Sequence, residues 1–173
     1  MPANAIILTG PSGVGKSTIG RRLQQVLPGP WLLYEVDQCS PPIPPGSLTE
    51  QQIVAANIGA ARAWADTGIP VIVEIALLGE EDLQIARSGL HGHHVFVVVL
   101  DCTRIVLEAH LAARGVAGPP PSHALPFYQR TAGRWPTGAD LQLCVDGLTP
   151  DQAAARIAQA ALPSGGTTSS ARP

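Results

Sequence analysis

Five short stretches of the chain are apolar at nearly every position: Ala5–Thr9 (AIILT), Trp31–Val36 (WLLYEV), Ile69–Ile75 (IPVIVEI), Val95–Leu100 (VFVVVL) and Leu141–Val145 (LQLCV). None alternates strictly between apolar and polar, so each predicts a strand buried on both faces. Between them, apolar residues recur at helical spacing. Lys16–Leu27 carries Ile19, Leu23, Val26 and Leu27, and Pro28 ends it. Leu48–Thr67 predicts a long helix with Ile53, Ala56, Ala60, Ala63 and Trp64 inward, closed by Gly68. Asp82–Arg87 predicts a short helix. Thr103–Arg114 predicts another, broken by Gly115–Pro121 (GVAGPPP), and Ser122–Thr131 also reads as helical. Thr149–Leu162 predicts a closing helix with Thr149 as cap and Pro150 in first position. Strands that alternate with helices in this way imply an α/β fold: a five-stranded parallel sheet between two helical layers. Residues 1–162 are expected to form one domain. Ser40–Gly46 (SPPIPPG) is a proline-rich loop, and Pro163–Pro173 is expected to be a disordered tail.

Composition narrows the functional class. The 173 residues are 45% hydrophobic and only 14% charged, with a formal net charge of −2. A basic field for nucleic acid is therefore missing. The longest apolar runs fall far short of the roughly 20 residues that span a bilayer, so neither nucleic acid nor membrane is an expected partner. Met1–Gly10 has neither the basic region nor the cleavage pattern of a secretory signal. The three cysteines (Cys39, Cys102, Cys144) form no CxxC pair, and a reducing, cytoplasmic setting is expected. His91, His93 and His94 read as a solvated loop before a strand. Of the 11 cations, Lys16 is the only lysine.

That lysine lies in a motif. Gly10-Pro11-Ser12-Gly13-Val14-Gly15-Lys16-Ser17 fits GxxxxGK[ST], and Thr18 follows. In such a loop the glycines allow a tight turn whose amides, with the helix N-terminus, hold phosphate oxygens. The lysine reaches the β- and γ-phosphates, and the Ser17 hydroxyl is placed for Mg²⁺. The motif requires a buried strand before it and a helix after it, and both are predicted. A nucleoside triphosphate, ATP or GTP, is thus the expected ligand, with Mg²⁺. It should lie at the carboxyl ends of the strands.

Carboxylates cluster at those strand ends. Asp37 directly follows the second strand and is the candidate general base; an Asx-turn or helix cap is the structural alternative. Glu35, two residues earlier, is a candidate for the Mg²⁺ water shell. Glu74 lies inside the apolar third strand, where an unpartnered carboxylate is costly. Asp101 ends the fourth strand and either joins the site or caps the next helix. Arg114, where a helix breaks into the Gly/Pro segment, is the candidate for the moving phosphate, on a lid spanning about 114–134. A helix C-terminal charge is its alternative. Arg104, Arg130 and Arg134 are less informative.

With these residues in hand, the sequence resembles the chloramphenicol phosphotransferase-like family of small P-loop kinases. The most specific block is AIILTGPSGVGKSTIGRRLQQVLPGPWLLYEVD, Ala5–Asp37. Weaker blocks are Ala63–Gly79 and the Cys102–Arg114 helix. The resemblance implies a three-layer P-loop kinase fold with a small lid. It implies transfer of the nucleotide γ-phosphate to an antibiotic alcohol, with Asp37 as base and with Glu74 and Arg114 at the active site. Three positions depart from the family pattern: His110 stands for an arginine, Val116-Ala117 for a charged pair, and Glu74-Ile75 for an acidic pair. Pro41–Pro45 would wall the acceptor pocket or act as a stiff linker.

The expectation is therefore a Mg²⁺-dependent O-phosphotransferase. Lys16 and Asp37 are its chemical groups, with Arg114 over the phosphate; Gly10, Ser12, Gly13, Val14, Gly15, Ser17 and Thr18 cradle the nucleotide; Asp37 and Glu74 face a hydroxylated acceptor. A nucleoside or nucleotide kinase is the alternative, but the chain has few arginines for a monophosphate. A nucleotide-binding switch would want an NKxD motif, which a single lysine at position 16 cannot supply. A homodimer is left open.

Overall fold

In the computed structural model, which describes residues 2–39, 47–115, 128–129, 131 and 134–162 (backbone only at 114 and 115), the five apolar runs form one sheet. The chain runs β1 (Ala5–Thr9), α1 (Lys16–Val26), β2 (Leu32–Glu35), α2 (Val36–Cys39), α3 (Glu50–Ala65), β3 (Val71–Glu74), α4 (Glu80–Gly89), β4 (Val95–Asp101), α5 (Arg104–Gly115), β5 (Leu141–Cys144) and α6 (Pro150–Ala161). The strands are all parallel, in the order β2-β3-β1-β4-β5. β1 is central, and all five of its residues are buried. No helix among the described residues is long and apolar enough to cross a membrane.

Pleating sorts β1 between two cores. Ile6 and Leu8 face the side covered by α1, α5 and α6, with Leu23, Leu107 and Ile157. Ala5 and Ile7 face the side covered by α3 and α4, with Ile58, Ala61 and Leu90. The doubly apolar strands are thus explained: each residue, whichever way it points, meets a helix. Thr149 caps α6 through a reciprocal bond with Gln152, and Pro150 occupies the first turn.

Three sequence expectations need correction. The buried face of α3 is Val54, Asn57, Ile58, Ala61 and Ala65, not Ile53, Ala56, Ala60, Ala63 and Trp64; Trp64 is 49% exposed. An alanine-rich helix offers apolar residues on every side, so periodicity alone does not pick the inward stripe. Asn57 settles it physically: its buried amide accepts from the Tyr34 hydroxyl at 3.2 Å and donates to the Ile53 carbonyl at 2.9 Å. Second, the short helix expected at Asp82–Arg87 is ten residues long and opens on three acids, Glu80, Glu81 and Asp82, which suit a helix N-terminus. Third, the histidine loop is not simply solvated. His93 shares a hydrogen bond with Asp66 at 2.8 Å, and His91 lies 2.7 Å from Arg62, tying the loop to α3. The loop Ser40–Gly46, most of the lid, Arg130 and the tail Pro163–Pro173 lie outside the described residues.

Candidate active site

The site begins where β1 ends. Gly10 leaves the strand at φ 143°, and a Cβ there would stand 2.2 Å from the Leu100 carbonyl oxygen of β4. Only glycine lets the loop pass this close to the sheet. At Gly13, with φ 93°, a Cβ would stand 2.8 Å from the end of the Leu111 side chain of α5. The loop then enters α1 at Gly15, which provides no side-chain cap, and the first turn of α1 contains no acid. The amides of that turn are therefore left for an external anion, the arrangement a phosphate requires. Lys16 folds back over the loop, its Nζ donating to the carbonyls of Gly10 at 3.0 Å and Pro11 at 3.1 Å.

β3 reaches the same place. Leu8 of β1 registers with Glu74, and Glu35 of β2 registers with Glu74 from the other side. The fully buried Thr9 hydroxyl accepts from the Leu77 amide at 2.8 Å, locking the segment after β3 against the end of β1. Glu74 lies beside the Ser17 hydroxyl and near Lys16. Its Oε2 is buried without a hydrogen-bond partner among the described residues. Burial, opposed by Lys16 and Ser17, leaves its pKa above the ordinary carboxylate value, and the neighbouring Glu35 and Asp37 push it the same way.

Two cavities flank this point. The larger, about 460 Å³, is lined by the loop from Ser12 to Ile19, by His110 and Ala113 of α5, and by the segment joining β5 to α6. The smaller, about 280 Å³, runs between the segment following β3, α2 and the start of α3. The two share Ser12, Lys16, Asp37 and Glu74.

The structure thus gathers Ser12, Gly13, Val14, Gly15, Lys16, Ser17, Thr18, Asp37 and Glu74 around one centre, with Gly10 on the smaller cavity. Asp37 does not sit on an irregular turn but in the single helical turn α2. Glu35 lines neither cavity; its oxygens lie 3.1 and 3.3 Å from Arg21 Nη2, a partner 14 residues back on α1. Asp101 also lies apart, accepting from the Cys102 amide at 2.8 Å. Arg104 is paired with Glu108 at 2.8 Å. The Arg114 side chain lies outside the described residues, although the preceding turn of α5 lines the larger cavity through His110 and Ala113. Sequence reading did not single out Glu50 or Asp82, both on the smaller cavity. Each opens a helix, where an acid is ordinary, so neither gave a signal.

Nucleotide-bound Mg²⁺ takes few protein ligands and keeps several waters. A serine hydroxyl at the start of α1 beside a buried carboxylate oxygen with no partner among the described residues fits that role.

No curated protein matches the chain. Solved structures share its fold. An unliganded sugar kinase from Janibacter sp. HTCC2649 aligns with a TM-score of 0.70 at 21% identity, over 90% of this chain and 92% of that one. The APS kinase of Mycobacterium tuberculosis, solved with AMPPNP and APS, gives 0.68 at 19% identity, over 92% and 97%. The tunicamycin resistance protein of Deinococcus radiodurans gives 0.62 at 22% identity, over 89% and 92%. These likenesses establish the P-loop kinase fold. The model of the chloramphenicol phosphotransferase-like protein family matches residues 3–160, and the chain belongs to that family, as a phosphotransferase of the P-loop kinase type.

Proposed function

We propose that the protein transfers the γ-phosphate of ATP or GTP to a hydroxyl of a small-molecule antibiotic, with Mg²⁺, in the cytoplasm. The observation that carries this reading is the wall common to the two cavities. Ser12, Lys16, Asp37 and Glu74 stand where a donor in the larger cavity and an acceptor in the smaller one would meet. The choice of an antibiotic rests on the family description.

In this reading the loop amides and Lys16 hold the triphosphate. Ser17 and Glu74 would hold Mg²⁺, which would offset charge on the phosphate oxygens. Glu74 takes this role rather than Glu35, because Arg21 occupies Glu35. Asp37 accepts the proton of the acceptor hydroxyl as its oxygen bonds to the γ-phosphorus. The bond from that phosphorus to the β–γ bridging oxygen breaks, and the nucleoside diphosphate leaves. Arg114, on α5 beyond His110 and Ala113, covers the transferring phosphate.

The test is a screen of hydroxylated antibiotics, with mass detection of the added phosphate and release of ADP or GDP. Asp37→Asn is expected to lower turnover by roughly 10²-fold or more while leaving nucleotide affinity unchanged. Near-normal turnover in that variant would remove Asp37 as the base. Transfer to nucleoside monophosphates alone would replace the reading with a nucleotide kinase.

A further inference from the structure

The smaller cavity has an unusual charge balance for a site that meets a triphosphate. Its described lining contains four carboxylates, Asp37, Glu50, Glu74 and Asp82, and a single cation, Lys16. Much of the remaining wall is apolar, including Val36, Ile53, Val54 and Leu78. Three of the acids have work of their own. Asp82 is buried and accepts from the Leu78 amide at 2.7 Å. Glu74 lies against Ser17 and Lys16. Asp37 is at the junction with the donor cavity. Lys16 in turn is directed at the loop carbonyls and, in the proposed reaction, at phosphate. Glu50, at the start of α3, is exposed, and its side chain makes no hydrogen bond or ion pair with another described residue.

We infer that the acceptor is an apolar alcohol that also carries a protonated amine, and that Glu50 is the residue that selects it. The inference rests on the kinase reading of the site. Low-dielectric walls focus the field of one-signed charges, so the cavity concentrates cations and repels anions. An acceptor bearing phosphate, sulfate or carboxylate would be brought against four carboxylates offset by one ammonium. A neutral one would gain its apolar contacts but nothing from the field. A cationic one gains both, and Glu50 can receive an ammonium without disturbing a bond already made.

Three compounds with the same hydroxyls separate these cases: 2-amino-1-(4-nitrophenyl)propane-1,3-diol, its neutral N-acetyl derivative and its anionic N-succinyl derivative. Phosphorylation is followed with ATP and Mg²⁺ at a pH where the amine is protonated. The free amine is expected to have a kcat/KM about tenfold above that of the N-acetyl compound, with the difference in KM, and the N-succinyl compound is expected to be poorest. Glu50→Gln should shrink the preference for the amine several-fold by raising KM for the amine, and Glu50→Asp should retain most of the preference. Raised salt should also weaken the preference. Equal or better use of the N-acetyl compound overturns the inference while leaving the kinase reading intact. An amine preference untouched by Glu50→Gln overturns the assignment to Glu50. Calorimetric binding of the same compounds to the AMPPNP-loaded protein reads the preference without turnover. Tighter binding of the amine without transfer of phosphate upholds the charge preference and overturns the kinase reading. Equal affinities overturn the preference.

Discussion

Glu74→Gln removes a charge from the site while keeping the shape of the side chain. Glu74 places one carboxylate oxygen in a buried position without a hydrogen-bond partner among the described residues. An unsatisfied buried acceptor costs about 1–3 kcal/mol. The substitution gives back part of this, because a neutral amide is cheaper to bury, and it forfeits the attraction of Lys16. The net expectation is a gain of about 1 kcal/mol, or about 2–4 °C in Tm for a chain of this size. The gain should depend on pH. Burial raises the pKa of Glu74, so the folded wild-type protein binds its proton more readily than the unfolded chain does. The stability linked to that proton is fully present below the ordinary carboxylate value and is lost as the pH rises through the raised one. The variant's advantage should therefore be present near neutrality and vanish at about pH 4. Thermal unfolding without nucleotide at the two pH values measures it, and a parallel assay should show phosphate transfer lowered by roughly 10²-fold or more. An equal or lower Tm at neutral pH, or an advantage that persists in acid, would refute the argument that Glu74 is held at a cost to the fold.

Other substitutions probe neighbouring parts. Lys16→Ala and Lys16→Arg should both abolish transfer with unfolding curves close to wild type, since a guanidinium is too broad and planar for the cradle; transfer by either would undo the role given to the lysine. Thr9→Val leaves the Leu77 amide unpaired in a fully buried place and should cost about 1–3 kcal/mol, seen as a lower urea midpoint. Gly10→Ala puts a methyl against the Leu100 carbonyl in a backbone region that L-residues avoid. Backbone strain alone is worth about 1–3 kcal/mol, and both Tm and nucleotide affinity, read by titration, should fall.

The sheet was legible because a doubly covered parallel strand must be apolar on both faces, and short β-branched runs such as VFVVVL meet that demand. The loop was legible because its signal is local: glycines, lysine and serine at fixed spacing mark the turn into α1 that is proposed to hold phosphate. What escaped was what depends on distant partners. The withdrawal of Glu35 from the site is decided by Arg21 on another element. The inward face of α3 is decided by a tyrosine from β2 meeting Asn57. The smaller cavity joins residues from the loop, α2, α3, β3 and α4, so no stretch of sequence contains it. Glu50 is the clearest case: beside Thr49, whose hydroxyl accepts from the Gln52 amide, it reads as an ordinary acid at a helix start.

The back-folded Lys16 has a consequence for how tightly the cradle can grip. Its ammonium already holds two carbonyl acceptors of its own loop. Phosphate oxygens arriving there would exchange with those acceptors rather than add to them, so the lysine's share of nucleotide affinity is a difference between two sets of bonds. When the diphosphate departs, the carbonyls are at hand to take the ammonium back, and no bare charge has to wait for solvent. On the proposed function the loop would work as a reversible latch: the group that holds its shape between turnovers would grip the phosphate during them, and the bonds that re-form behind the product would ease its release.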